Sequence, residues 1–398
     1  MDNLGSSSVA PPAVEGQSVV PPLVMDNSIH FKWLHTGFEA FSSMLAAING
    51  AVKSVRLETY IYMDDDVGQM VRTALVEAAY RGVKVQVLVD ALGSLNLPKT
   101  FWDPLIAAGG EFAFFNPLAR GRWSVRDHRK LLVCDDVVAF IGGFNIANHY
   151  RGDGVVHGWR DLGLQVTGSL VMELAATFDS FFGRAADKPK RLQRFRRAQP
   201  GASAGTNWRL IVNGPGRRPG EFKRIVAKEL KNANSVQIIS AYFLPTWRLR
   251  KALVRVAKRG GRVQIILPGK SDVPISRLAS RSLYRMLLRA GVEIYEYQPQ
   301  ILHSKLILMD DEVFVGSANL DTRSLWINYE LVLNLKDPLL ANQARAIFEQ
   351  DLSNSRRIEP RNWRKARGFW EKCKESWAYF ILARMDPYMA RTLCKGFE

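Results

Sequence analysis

Cysteine is scarce in this chain, and the three that occur follow no pattern. Cys134, Cys373 and Cys394 have neither the spacing of a metal knuckle nor the even number of a disulfide framework. A reducing compartment fits, with Cys134 a buried free thiol inside an apolar strand. Long apolar runs are missing too: no stretch approaches the eighteen or so residues that a membrane-spanning helix needs. Residues 1–24 lack the basic start and compact apolar centre of a secretory leader, and 1–27 read as a flexible arm. Acidic residues run short as well. The 38 Asp and Glu are outnumbered by 55 Lys and Arg, giving a formal charge of +17. That excess suits a polyanionic partner, either an anionic membrane or nucleic acid.

What is present is a duplication. With 398 residues, 47% of them hydrophobic, the chain can bury one large core or two ordinary ones. Two of its six histidines open matching stretches. The first is His128-Arg129-Lys130-Leu131-Leu132-Val133-Cys134-Asp135, then Gly142-Gly143-Phe144-Asn145, with Asp161 further on. The second is His303-Ser304-Lys305-Leu306-Ile307-Leu308-Met309-Asp310, then Gly316-Ser317-Ala318-Asn319, with Glu330 further on. One such match is expected by chance in roughly a few per cent of chains this long. Two matches, each followed by the same turn, are far less accidental.

On a strand, His-x-Lys puts imidazole and ammonium on one face, because the side-chain period is two; Arg129 and Ser304 point the other way. Two copies face to face would surround one small space with two imidazoles, two ammoniums and two amides. That set suits a phosphodiester: cations bind its oxygens, one imidazole attacks phosphorus and the other protonates the leaving alcohol. A divalent metal suits it poorly, since each histidine has an ammonium beside it.

The surrounding order repeats as well. In the first half a helix (38–52), a strand (54–62), a helix (66–79) closed by Arg81-Gly82, a strand (83–89), a helix (101–108) and a strand (111–115) precede a basic, aromatic loop and the motif. In the second half come a strand (236–241), a helix (249–258) closed by Arg259-Gly260-Gly261, a strand (263–267), a helix (277–289) and a strand (292–297). The spacing predicts an α/β fold of two pseudo-symmetric repeats, 28–180 and 207–352. Each is expected to be a mixed, largely parallel sheet flanked by helices, with the site at their interface. The second motif is one residue short: His128 to Asn145 spans 17 residues, His303 to Asn319 spans 16. The hairpin turn is expected to absorb the difference rather than pass it along the strand.

Between the repeats, 181–206 is a basic linker, either merely solvated or lying against anionic headgroups. The tail, 353–398, interleaves Arg356, Arg357, Arg361, Arg364, Lys365 and Arg367 with Trp363, Phe369, Trp370, Trp377, Tyr379 and Phe380. It reads as a helix in a membrane interface, against the alternative of a helix docked on the core.

The paired motifs resemble those of the phospholipase D superfamily. The wider context is similar to the bacterial cardiolipin synthases of the short B type, which lack transmembrane helices. The likeness covers roughly residues 30 to 385 and includes Leu57-Glu58-Thr59-Tyr60-Ile61-Tyr62, Arg81-Gly82-Val83-Lys84, Trp159-Arg160-Asp161 and Tyr242-Phe243-Leu244-Pro245. It implies a phosphatidyltransferase without metal or cofactor. One histidine, taken here as His128, would attack phosphatidylglycerol and form a phosphatidyl-histidine. His303 would protonate the departing glycerol, then activate a hydroxyl of a second phosphatidylglycerol to give cardiolipin.

Lys130, Lys305, Asn145 and Asn319 would bind the non-bridging oxygens. Asp161 and Glu330 would each hydrogen-bond the histidine of their own half. Asp135 and Asp310 complete the catalytic motifs and are expected to hold local backbone. The partner implied is an anionic phospholipid membrane containing phosphatidylglycerol and cardiolipin, not nucleic acid. The place implied is the cytoplasmic side of a bacterial inner membrane, peripherally. A hydrolytic phospholipase D or a nuclease of the superfamily would use the same residues, and a non-enzymatic membrane binder is the fourth reading. The tail, and a basic helix over 277–289 carrying Leu278, Leu283, Met286 and Leu287, favour lipid over nucleic acid.

Overall fold

A computed structural model of the chain describes residues 28–117, 125–186, 207–215, 220–365 and 367–385. The arm 1–27, most of the basic loop before the first motif, residues 187–206 of the basic linker and residues 386–398 of the tail, Cys394 among them, lie outside the described residues.

The first repeat runs β1 (His30–Leu34), α1 (Gly37–Gly50), β2 (Ser54–Thr59), α2 (Asp66–Tyr80), β3 (Lys84–Asp90), α3 (Asp103–Ala107), β4 (Glu111–Phe115), β5 (Leu131–Cys134), β6 (Val138–Gly142), β7 (Gly163–Thr167) and α4 (Leu170–Ala186). The second runs β8 (Trp208–Asn213), α5 (Glu221–Glu229), β9 (Ser235–Ser240), α6 (Trp247–Lys258), β10 (Arg262–Pro268), α7 (Pro274–Arg289), β11 (Glu293–Tyr297), β12 (Lys305–Met309), β13 (Glu312–Gly316), α8 (Thr322–Trp326), β14 (Glu330–Lys336) and α9 (Pro338–Ser353). After it come β15 (Ser355–Arg357), α10 (Pro360–Lys365) and α11 (Phe369–Phe380).

The sheet orders establish the duplication. One sheet reads β1-β7-β6-β5-β2-β3-β4 and the other β8-β14-β13-β12-β9-β10-β11, with β15 added at its edge. Both are mixed, as expected, but they are not largely parallel. Only β2-β3-β4 and β9-β10-β11 pair in parallel; every other pairing is antiparallel. The reason is the connection. Helices return the chain between the parallel strands, whereas the motif strands turn back through short hairpins, which join only antiparallel neighbours.

Strand β5, and β12 after its opening Lys305, are apolar because both of their faces are buried. Leu132, Cys134 and Phe140 face the core under α1 and α2. Ile307, Met309 and Phe314 face the equivalent core under α5 and α6. On the opposite faces Leu131, Val133, Ile141 and Leu164 join Leu306, Leu308, Val315 and Leu331 in a third cluster shared by both repeats, closed by α4 and α9. The two sheets therefore pack on one another, and the motifs that open β5 and β12 are carried to the same interface.

The hairpins absorb the missing residue. Asp135 to Val137 turn β5 into β6, and Asp310 with Asp311 turn β12 into β13; the flanking pairs Cys134↔Val138 and Met309↔Glu312 keep the ladder in register. Asp135, Asp136 and Asp310 adopt positive φ (56°, 58° and 50°), a conformation that Asp tolerates in turns. No helix among the described residues is long and apolar enough to cross a membrane.

The tail docks. Helix α11 packs along α7, and Ala378 and Glu375 are buried there. This removes α7 as a lipid-facing element: Leu283 and Leu287 lie in the second repeat's core and Leu278 packs against it, leaving Met286 exposed.

Candidate active site

Each histidine ends a strand-like segment that pairs with the other repeat. Asp127 bridges Tyr329, and Arg160 bridges Leu302. The His128 N–H donates to the Tyr329 carbonyl at 3.0 Å, and the His303 N–H to the Arg160 carbonyl at 2.8 Å. The Arg160 side chain reaches into the second repeat, its Nε 2.7 Å from Asp351 Oδ1. These crossings place residue 330 beside residue 128, and residue 161 beside residue 303.

The carboxylates consequently cross over. His128 Nδ1 lies 3.0 Å from Glu330 Oε2, and His303 Nδ1 lies 2.6 Å from Asp161 Oδ2. The expectation that each acid serves the histidine of its own half is corrected: each serves the other half's. The cause is backbone pairing, since Asp127-His128 runs beside Tyr329-Glu330 and Arg160-Asp161 beside Leu302-His303. A carboxylate only accepts, so each Nδ1 carries the hydrogen and each Nε2 keeps a lone pair.

The acids are themselves held. Glu330 accepts from the Ser317 hydroxyl, and Asp161 Oδ1 accepts from the Leu162 N–H at 2.8 Å. The first repeat has Gly143 where the second has Ser317, and the space explains it: a Cβ on Gly143 would come 2.0 Å from Asp161 Oδ1. Ser317 acquires this role only in the folded structure, although it stands in the motif.

Lys130 Nζ donates to the His128 carbonyl at 2.7 Å, and Lys305 Nζ donates to the His303 carbonyl and lies 2.8 Å from His303 Nδ1 and 3.2 Å from Nε2. All four side chains are buried. Burial lowers the His128 pKa, with Lys130 and Lys305 adding to the effect and Glu330 opposing it. Burial and Lys305 bring His303 down to about 4 against the pull of Asp161. Burial and the neighbouring Lys305 bring Lys130 down to about 7, and burial lowers Lys305 as well. Burial would raise Asp161, yet Lys305 and His303 hold it below the usual carboxylate value. Lys305 acts on His128, and Lys130 feels both Asp161 and Glu330, so the two motifs form a single electrostatic site. At neutral pH both imidazoles are neutral.

Asn145 Oδ1 accepts from the Ile61 N–H at 3.0 Å, and Asn319 Oδ1 from the Tyr242 N–H at 3.4 Å. Their carbonyls thus anchor the chain after β2 and β9; the Asn145 amide donates to Tyr150 Oη at 2.7 Å. Asp135 and Asp310 sit at the far ends of β5 and β12, away from the histidines. Asp135 accepts from the N–H groups of Val52, Lys53 and Ser54, and Asp310 from those of Asn234 and Ser235. They tie each hairpin to the start of the neighbouring strand.

Aromatic rings wall the histidines; Tyr60, Trp159 and Tyr242 stand in segments that carry the family likeness, and Tyr150 does not. Tyr60 meets His128 edge-on at 5.0 Å, while Tyr150, Trp159 and Tyr242 meet His303 at 5.2, 5.7 and 6.4 Å. Tyr150 ends a short 3-10 turn, Asn148–Tyr150, that carries no motif. Among the described residues no group of three or more His, Cys, Asp or Glu stands together as a metal site would require.

Comparisons with known proteins give the family of the chain. The family model described as cardiolipin synthase, PLD-like domain, matches residues 44–152 and 226–352, one segment in each repeat. The chain belongs to this family. It is 35% identical to cardiolipin synthase B of Escherichia coli over 313 residues, 76% of each chain. It is 32% identical to cardiolipin synthase 1 of Bacillus cereus over 349 residues, 84% of this chain and 68% of the relative. Among solved structures, phosphatidylserine synthase of Haemophilus influenzae superposes with a TM-score of 0.72 over 90% of this chain and 94% of its own; at 16% identity this speaks for the fold. The matched segments hold both histidines, both lysines and both asparagines of the PLD-like site.

Proposed function

We propose that this chain is a cardiolipin synthase that moves a phosphatidyl group from one phosphatidylglycerol to a hydroxyl of a second. The observation that carries the reading is the pair of buried His-x-Lys units in one site, each imidazole held at Nδ1 by a carboxylate of the opposite repeat.

The diester anion enters between Lys130 and Lys305, which turn from their resting partners to its non-bridging oxygens, with the Asn145 and Asn319 amides beside them. Its negative charge raises the proton affinity of both imidazoles and of Lys130, and His303 takes up a proton from solvent at Nε2 as the diester binds. Nε2 of His128 attacks phosphorus while the bond to the glycerol oxygen breaks, and His303 gives its Nε2 proton to that oxygen. Neutral again, His303 takes the proton of the incoming hydroxyl, whose oxygen displaces His128 from phosphorus. Glu330 stabilises the positive charge that His128 carries while phosphatidylated, and Asp161 does so for the imidazolium of His303. We place the protein peripherally on the cytoplasmic face of a bacterial inner membrane. Its substrates are bilayer lipids, and its +17 charge suits an anionic surface.

The test is product analysis on phosphatidylglycerol vesicles. Cardiolipin with released glycerol is expected, and phosphatidic acid alone would reassign the enzyme as a hydrolase. In His303→Ala a phosphatidyl-protein adduct should accumulate that His128→Ala never forms; the opposite pattern would exchange the two roles.

A further inference from the structure

Helix α11 is docked with its polarity inverted. Its buried face carries Glu375, whose Oε2 accepts from Arg367 Nη1 at 2.8 Å, while four of its five aromatic residues point outward and Tyr379 packs on the core. Phe369 is 72% exposed, Trp370 76%, Trp377 62% and Phe380 55%. At 3.6 residues per turn these four and the exposed Cys373 fall within an arc of roughly 100°. A helix that only packs on a core buries such a stripe. The charges are sorted in the same sense. Exposed Lys372 and Lys374 flank the stripe on either side, and Glu371 and Glu375 sit on the opposite half of the helix.

The helix is also fixed relative to the catalytic repeats. It packs along α7, Trp363 of the preceding α10 meets Tyr284 of α7 at 4.9 Å with the rings tilted by 35°, and Arg250 of α6 donates to Tyr379 Oη at 2.9 Å. Helix α6 starts at Trp247, five residues after Tyr242 beside His303, and Trp247 is itself 58% exposed. The last turn of α11 is therefore tied, through Tyr379, to the helix that leaves the rim of the active site.

We propose that the outward stripe of α11 is the docking face by which this protein seats on an anionic lipid bilayer, with the aromatic rings at headgroup depth and the two lysines against lipid phosphates. Aromatic rings between flanking lysines fit the bilayer interface. A second copy fits less well: four partly exposed rings supply roughly 600 Å², below the roughly 800 Å² per partner of a stable dimer. The proposal stands apart from the catalytic reading.

Cys373 makes it measurable, because it lies inside the stripe. In full-length Cys394→Ser protein, an environment-sensitive dye on Cys373 should shift to the blue with vesicles of phosphatidylglycerol and phosphatidylcholine. Trp370→Ser/Trp377→Ser/Phe380→Ser should lower vesicle partitioning in flotation by about a hundredfold. Its turnover of short-chain phosphatidylglycerol in detergent micelles should stay within about twofold of the parent, as for other surface changes remote from the histidines. An unchanged dye spectrum on vesicles that float the protein would overturn the proposal, as would a triple variant that floats like the parent. A variant that loses self-association in the ultracentrifuge yet keeps its vesicle binding would overturn it in favour of an interface between copies. If the dye shifts while phosphatidylglycerol gives no product, the catalytic reading fails and the docking face stands.

Discussion

Replacing Asp161 by Asn isolates the crossed carboxylate, because the change keeps the shape and removes the charge. Asp161 is fully buried and 2.6 Å from His303 Nδ1. With charge centres about 4 Å apart and an effective dielectric near 20, the lost attraction is about 4 kcal/mol. That corresponds to about three pKa units and about 10³ in any step where His303 must carry a proton. An Asn amide can also donate to Nδ1 and impose the wrong tautomer, so a loss nearer 10⁴ is within range for an Asp–His pair. The assay is glycerol release from phosphatidylglycerol, read together with the imidazole NMR titrations of protein labelled at its six histidines. Asp161→Asn should displace only the His303 resonance, and Glu330→Gln only that of His128. If each variant instead moved the histidine of its own half, the crossed pairing and the argument for it would fall.

Three further outcomes follow from the same geometry. In the free enzyme His128 must have lost its proton to attack, above a pKa that burial lowers, and Lys130 must keep its own to bind the diester, below about 7. The profile of kcat/KM should therefore rise through the first value and fall through the second, and Lys130→Arg should move only the alkaline limb upward; an alkaline limb unchanged in that variant would exclude Lys130 as its source. Gly143→Ser should cost at least about 10²-fold in turnover because its Cβ drives Asp161 off His303, whereas Ser317→Gly should cost only about tenfold through one hydrogen bond to Glu330; equal losses would refute the steric argument. Asp135→Ala and Asp310→Ala should each lower stability by about 1–3 kcal/mol in thermal unfolding, by stranding backbone N–H groups, while folded protein keeps most of its turnover. Loss of turnover without loss of stability would place these aspartates in the chemistry.

The local chemistry of this chain determined a good deal by itself. Apolar runs such as Leu131–Cys134 and Leu306–Met309 have the length and composition of strands buried on both faces, and Arg81-Gly82 and Arg259-Gly260 stop helices where Gly82 and Gly260 adopt positive φ. Because those signals recur in one order, the duplicated α/β plan and the meeting of the two His-x-Lys units were legible. The antiparallel strands β1, β7, β8 and β14 were not, since their identity depends on which neighbour they pair with and not on their own pattern. Likewise the length of the second hairpin was countable, but its harmlessness rests on a ladder register.

Only the tertiary structure decided what crosses between repeats. Asp161 and Glu330 look like servants of the nearest histidine along the chain. The bridges at Asp127–Tyr329 and Arg160–Leu302 hand each to the other, because a hydrogen bond of 2.6 or 3.0 Å is set by position in space. The tail is the second instance. Its aromatics were visible as composition, yet which ones a docked helix buries depends on its rotation about its own axis, and α7 fixed that by taking Ala378 and Glu375 inward and leaving Trp370 and Trp377 outside.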